Sequence, residues 1–460
     1  MSKNDIILRN PKQGALVKAT QQSQTFLTLL QQSDEQRLIE LLKTIGFRSA
    51  IALISRSEHI EWTAEFIEKY AEYWDWKRLS GNEALPWSME LIERFEDRWN
   101  WGWFGLSNNK ALPWSMELIE RFEEHWDWSL LSWNKALLWS MELIERFEDH
   151  WDWGRFGLSN NKALPWSIEL IERFEDRWEW QWGLSGNKAL PWSVEFIECF
   201  EDRWDWKTLS GNEALPWSME LIERFEERWV WDEDKYEFGN RGLSGNEALP
   251  WSMELIERFE ERWDWGGFWN GGLSGNKALP WSMELIERFE ERWVWDEFWN
   301  GGLSGNKALP WSVEFFEHFE TRWNFEKLSR NEALPWSMEL IERFEECWYW
   351  PWLSMNEALP WSMELIECFE DRWDWKALSG NEALPWSMEL IERFEECWDW
   401  ERISGNKGLP WSIDLLDKFK HKWDWRWLGY NKKAQQIFSA LSVQGIEEVM
   451  DYYIEMKIYS

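Results

Sequence analysis

The chain has 460 residues, 44% of them hydrophobic and 29% charged, enough apolar material for a large core, so its composition excludes wholesale disorder. Asp plus Glu outnumber Lys plus Arg by 85 to 50, a formal net charge of −35 that repels a phosphate backbone and argues against nucleic acid; a protein partner, including a basic one, fits better. Four cysteines make no disulfide framework, no run of 18 apolar residues offers a membrane span, and residues 1–20 lack the apolar stretch of a secretory signal, so a cytoplasmic chain with no membrane partner is expected.

In chain order, residues 1–61 come first, with Lys, Arg and Gln where the rest of the chain has Glu and Trp. Residues 22–31 and 34–44 have helical patterns, and 49–55 continue the apolar pattern. This segment is expected to be a helical N-terminal cap. A degenerate half unit spans 62–78.

From Leu79 a repeat takes over and runs to about residue 427. Thirteen units start on Leu-Ser-x-Asn or its variant at Ile403, and the basic unit has 25 residues. In the unit at Leu209, Pro216 biases Leu215 towards extended backbone, and Ser218 then caps a helix. Trp217 and Ile222 have the spacing of a hydrophobic staple. Leu221, Ile222, Phe225 and Trp229 recur on one helical face, and charged residues fill the other. That pattern predicts a helix of about three turns, with Glu220 and Arg224 paired at i,i+4 for roughly 0.3 kcal/mol. Asp205 can cap a second, shorter element over 206–210, a short helix or 3-10 turn, with Gly211 as its left-handed stop. Trp133, Arg330 and Met355 occupy the glycine slot elsewhere, and the β-propensity of Trp-Asp-Trp leaves a short strand as the alternative. One unit cannot bury enough apolar surface to order itself, so the units must stack on a shared core. The fold class is therefore all-α: a repeat solenoid of about 25-residue units, one amphipathic helix plus a short helix or 3-10 turn in each, with helical caps. The C-terminal cap is expected over 428–460, with helices at 432–440 and 443–456.

Extra residues enter only between Trp-x-Trp and the next Leu-Ser, at 102–105, 154–157, 181–183, 232–242, 266–272 and 296–302. In a stacked array they fall along one edge. The three longest carry Tyr236, Phe238, Phe268, Trp269, Phe298 and Trp299 beside glycine and asparagine, the composition of binding loops, and these six are the candidate binding residues. The competing assignment folds these aromatics back onto the core.

Most of the 48 tryptophans are expected to pack the core, and the recurring Asn82, Asn212 and Asn381 to be buried amides that tie neighbouring units. No nucleophile–base set, phosphate loop or metal-spaced Cys/His motif occurs, so no catalytic residue, metal or cofactor is expected. His125 and His150 stand in the same slot of adjacent units, where Arg is usual. They can be read as a metal pair or as surface drift. Cys347 and Cys368 fall in neighbouring units and are read as exposed thiols rather than a redox pair. The glutamates repeat too evenly to single out an acid–base pair.

The signature WDWxxLSxN, seen at residues 204–212, is followed by LPWSxELIExFxxxWDW. It resembles a group of tryptophan-rich repeat proteins of bacteria, with a shorter relative of the pattern in large DNA viruses. The resemblance covers roughly residues 62–430 and implies a repeat fold without implying an activity. Leu138 and Phe325 depart from it, and Asn100, Glu179, Val230, Val294, Asn324 and Tyr349 replace the Asp that caps the second element. The functional expectation is a non-catalytic scaffold that binds a protein through the insert edge or a concave face. An acidic mimic of nucleic acid that occupies a basic partner, and a glycan binder using the loop tryptophans, are the alternatives.

Overall fold

The computed structural model describes residues 33–232, 242–266, 272–296 and 302–457. Among them there are helices and turns but no strand, and the helices recur with the sequence repeat: the chain is an all-α repeat solenoid. It divides into two compact units, one of Trp87–Asp399, the other of the residues up to Pro86 together with those from Trp400 onward.

In the larger unit, Ser218 takes an extended conformation and its hydroxyl accepts the Leu221 N–H at 3.1 Å, opening a helix over Met219–Arg224. At six residues the helix is about half the length expected from its apolar pattern. The Trp229 indole ends it early by donating to the Ile222 carbonyl at 3.2 Å, the acceptor that the next helical turn would need. The Arg228 and Trp229 amides both turn back to the Phe225 carbonyl, at 2.8 and 3.2 Å. Phe225 and Trp229 thus stay on the apolar face although the helix has stopped.

The second element is a helix over Trp206–Ser210, capped by Asp205, whose carboxylate accepts the Thr208 N–H at 3.0 Å. This excludes the strand alternative. The expected left-handed stop is absent: Gly211 has φ −89° and ψ −2°, ordinary right-handed backbone. Arg330 fills the same slot at φ −93°, which is why side chains are tolerated there. Some of the substitutes for the capping Asp still cap. Asn324 accepts the Lys327 N–H at 3.0 Å, and Glu179 accepts three successive amides and opens a wider π turn. Tyr349 provides no side-chain cap, but Pro351 follows in the first turn, where it removes one of the amides a cap would serve.

Units join through rings, amides and ion pairs. The second tryptophan of one unit meets the next: Trp206 lies 5.1 Å from Phe225 and 4.9 Å from Trp229, which in turn lies 4.9 Å from Trp217. Each indole N–H has a fixed carbonyl, Trp206 on Glu201, Trp217 on Asn212 and Trp229 on Ile222. Buried Asn212 donates to the Ser185 carbonyl of the preceding unit at 2.9 Å, while its own Oδ1 accepts the Ala214 N–H at 3.0 Å. Buried Ser210 donates to the Trp206 carbonyl of the preceding unit and accepts the Val230 N–H of its own unit at 2.9 Å. On the charged face, Arg224 reaches Glu198 of the preceding unit rather than the expected Glu220. Arg228 pairs likewise with Glu201 at 2.9 Å, its guanidinium 5.7 Å from the Trp206 ring. Arg224 and Arg228 therefore tie units together, whereas Arg94 keeps the i,i+4 partner Glu90 on its own helix at 2.9 Å.

The smaller unit holds both terminal segments. Repeat geometry is present at its N-terminal side: Thr63 caps Ala64–Lys69, the Trp62 indole donates to the Ser57 carbonyl at 3.1 Å, and Asn82 donates to Ser55 and Ser57. The helix over 33–44 packs with Val443–Glu455, where Tyr453 donates to the Leu42 carbonyl at 2.6 Å and Glu35 accepts the Ser442 N–H at 2.8 Å. A Cβ at Gly445 would come within 2.6 Å of the Glu35 carboxylate, so a larger residue there would make the Glu35 side chain move. Arg37–Asp414, Lys43–Glu448, Lys69–Glu447 and Lys432–Glu58 join the same segments, and Arg56 stacks 3.5 Å above the Tyr430 ring. The hydrogen bond to Glu447 raises the Lys69 pKa. Burial holds the Tyr70 and Tyr453 hydroxyls up at about 12.

Candidate interaction edge

The inserts leave and re-enter the stack at fixed carbonyls. Without an insert, the Leu209 amide donates to the Asp205 carbonyl at 2.9 Å. With inserts of different length, Leu106 donates to Asn100, Leu158 to Asp152, Leu243 to Val230, Leu273 to Asp264 and Leu303 to Val294, each at 2.8 Å. One bond thus closes a spacing of four residues, 205 to 209, and one of thirteen, 230 to 243. A glycine precedes the leucine in every inserted unit because the chain folds tightly back there. A Cβ at Gly105 would lie 1.8 Å from the Asn100 carbonyl oxygen, and one at Gly157 would lie 1.9 Å from that of Asp152.

Tyr236, Phe238, Phe268, Trp269, Phe298 and Trp299, the binding residues expected from sequence, all lie outside the described residues. The shorter inserts are described, and the aromatics of two of them face outward: Trp103 is 66% exposed, Phe104 62% and Phe156 72%. Large apolar side chains gathered on one edge carry more information than scattered ones. Trp133, exposed in the glycine slot, and half-buried Trp182 belong to the same run of units. Cations accompany them. Arg155 lies 5.3 Å from the Phe156 ring and 4.6 Å from that of Trp182, and the Lys135 ammonium lies 5.8 Å from Trp133, within cation–π range. The sequence reading ranked inserts by length and so passed over Trp103, Phe104, Trp133 and Phe156. The usable signal was that their edge segments hold aromatics and no acid.

Further along the same edge is a cavity of about 360 Å³, lined by Lys277, Lys307, Lys327, Arg330, Trp352 and Met355 among others. The Trp352 ring is flanked by the Lys327 ammonium at 5.2 Å and the Arg330 guanidinium at 4.8 Å, and Lys307 pairs with Glu332 at 2.6 Å. Three consecutive units thereby bring cations and an indole to one wall.

The other candidate residues fall elsewhere. His125 and His150 take the arginine place in the ion-pair rows: they approach Glu96 at 3.4 Å and Glu123 at 3.2 Å and lie against Trp101 and Trp128. No group of three His, Cys, Asp or Glu among the described residues is arranged to hold a metal ion. Cys199, Cys347, Cys368 and Cys397 are all free and exposed. Burial, followed by the charges of Glu370 and Glu396, raises the Cys397 thiol pKa and so disfavours its thiolate. No helix among the described residues is long and apolar enough to cross a membrane. Comparison of the chain with protein-family models, with curated proteins and with solved structures gives no match.

Proposed function

We propose that the chain is a non-catalytic scaffold that binds a protein partner through its insert-bearing edge. The observation that carries this reading is the exposure of Trp103, Phe104 and Phe156 on loops whose bases are held by a constant hydrogen bond. Exposed aromatic side chains on a rigid frame supply contact area at low entropic cost. The rest of the unit is committed to stacking: in the unit at Leu209 the Trp217 and Trp229 N–H groups, Ser210 and Asn212 have structural partners, and glutamates of the preceding unit pair with its arginines. The acidic-mimic reading draws on the same glutamates, and their pairing with arginines of the following unit weakens it.

Affinity capture tests the proposal with the full chain, a Trp103→Ala/Phe104→Ala/Phe156→Ala variant, and a variant with the inserts at 232–242, 266–272 and 296–302 shortened. A protein retained by the full chain and lost from either variant supports the edge. Equal retention by all three moves binding to the helical face. Release by free sugar assigns the edge to glycans.

A further inference from the structure

The distribution of charge along the insert edge carries the reading further. In most units the segment from the second tryptophan to the Leu-Pro-Trp tryptophan holds at least one acid. Four consecutive units break this: residues 101–114, 128–139, 153–166 and 180–192 contain no Asp or Glu and together carry Lys110, Lys135, Arg155, Lys162 and Lys188. No other two neighbouring units share this property, and the whole chain carries −35. All five cations are exposed, and of them Lys135 lies by the Trp133 ring and Arg155 by those of Phe156 and Trp182. Lys188, at the end of the strip, pairs with Glu213 of the following unit, and there the acid-free run stops.

We propose that this strip, residues 101–192, binds an acidic, aromatic-bearing peptide segment in extended conformation; the proposal rests on the edge being a protein-binding surface. Stacked helical elements lie about 8–10 Å apart, and an extended segment in the polyproline II conformation rises about 3.1 Å per residue with three residues per turn, so every third side chain faces the same way. Carboxylates at every third position therefore meet one cation per unit, and about nine residues span the strip. The exposed rings take the intervening side chains. Arg155, exposed and within cation–π range of Phe156 and Trp182, is placed to pair with a carboxylate. A nucleic acid would also find cations and rings here, but a phosphate backbone of any length runs off the strip onto acidic surface. Short acidic peptide fits within the acid-free boundary, and the same boundary gives it a register.

The test uses the full chain and three labelled probes followed by fluorescence anisotropy: a nine-residue peptide with Glu at every third position and Phe between, its Gln-for-Glu counterpart, and a ten-nucleotide single-stranded DNA. The Glu peptide should bind at least tenfold more tightly than the Gln peptide, and rising salt should weaken it. Lys110→Glu/Lys135→Glu/Arg155→Glu/Lys162→Glu should reduce its affinity tenfold or more, whereas Lys376→Glu/Lys407→Glu should leave it unchanged. Far-ultraviolet circular dichroism checks the fold, and alanine replaces glutamate at the same four positions should reversal unfold the chain. Equal binding of the Glu and Gln peptides, or indifference to the four substitutions, overturns the proposal. Tighter binding of the DNA overturns it in favour of nucleic acid. Protein capture that depends on Trp103 and Phe156, with no preference for the Glu peptide, removes the acidic class and leaves the protein-binding reading standing.

Discussion

At the scale of single residues, tryptophan and asparagine act here as hydrogen-bond donors with assigned acceptors. Asn212 is the clearest case, because its amide serves both the preceding unit and its own turn. Asn212→Ala should leave the buried Ser185 carbonyl and the part-buried Ala214 N–H without that partner. The expected cost is about 1–3 kcal/mol, read as a lower urea midpoint and faster amide exchange around 184–214. That asparagine would tie units together was legible from its recurrence alone. That Arg224 would choose Glu198 over Glu220 was not, because i,i+4 spacing is visible in a sequence and the neighbour across a unit boundary is not.

Helices and inserts are where local rules and tertiary contacts part. The capping residues Ser218 and Asp205 were readable because a cap is a property of a few adjacent residues. The early end of the helix at Arg224 was hidden, since apolar periodicity runs on through Phe225 and Trp229 while the Trp229 indole takes the carbonyl that helix continuation needs. Glycines divide in the same way. Gly157→Ala should destabilise the protein by about 1–3 kcal/mol, as overpacking does, because the new Cβ meets the Asp152 carbonyl. Gly380 has φ −89°, and its nearest non-bonded atom would be 3.5 Å from a Cβ. Gly380→Ala should stabilise by about 0.4–1 kcal/mol through the unfolded chain. Calorimetric Tm values of the two variants should move in opposite directions. The candidate edge was legible in part: sequence located the inserts, while the exposure of Trp103, Phe104 and Phe156 depends on how each loop folds, which composition does not encode.

Over the whole molecule, the two compact units differ in what holds them. The unit of Trp87–Asp399 repeats one junction, whereas the terminal unit rests on single contacts such as Tyr70 with Asp451 and Tyr453 with the Leu42 carbonyl. Both tyrosines are held protonated up to about 12, above the ordinary value of 10.0. Their protonated forms are the ones the fold favours, so their contribution is complete below pH 10 and falls as pH rises towards 12. Circular dichroism and tyrosinate absorbance recorded across that window should show helix loss together with ionisation, and Tyr70→Phe/Tyr453→Phe should remove this part of the pH dependence. Repeat number and composition gave the all-α class, since periodicity is a chain-wide signal. The joining of residues 33–44 with 443–455 had no such signal, because the pairing occurs once and across the length of the chain.

The constant bond from a unit's leucine amide to the carbonyl between the Trp-x-Trp rings that precede it has a consequence for heredity and for engineering. A duplication or slippage event that changes length at that point alters neither the register of the stack nor any junction. Variation there is filtered only by what the new loop touches. A foreign peptide spliced between the second tryptophan and a glycine–leucine pair should be displayed at a chosen unit, and several could be carried at once on neighbouring units. The repeat thus behaves as a row of equivalent sockets, in which diversity accumulates without first compromising the frame.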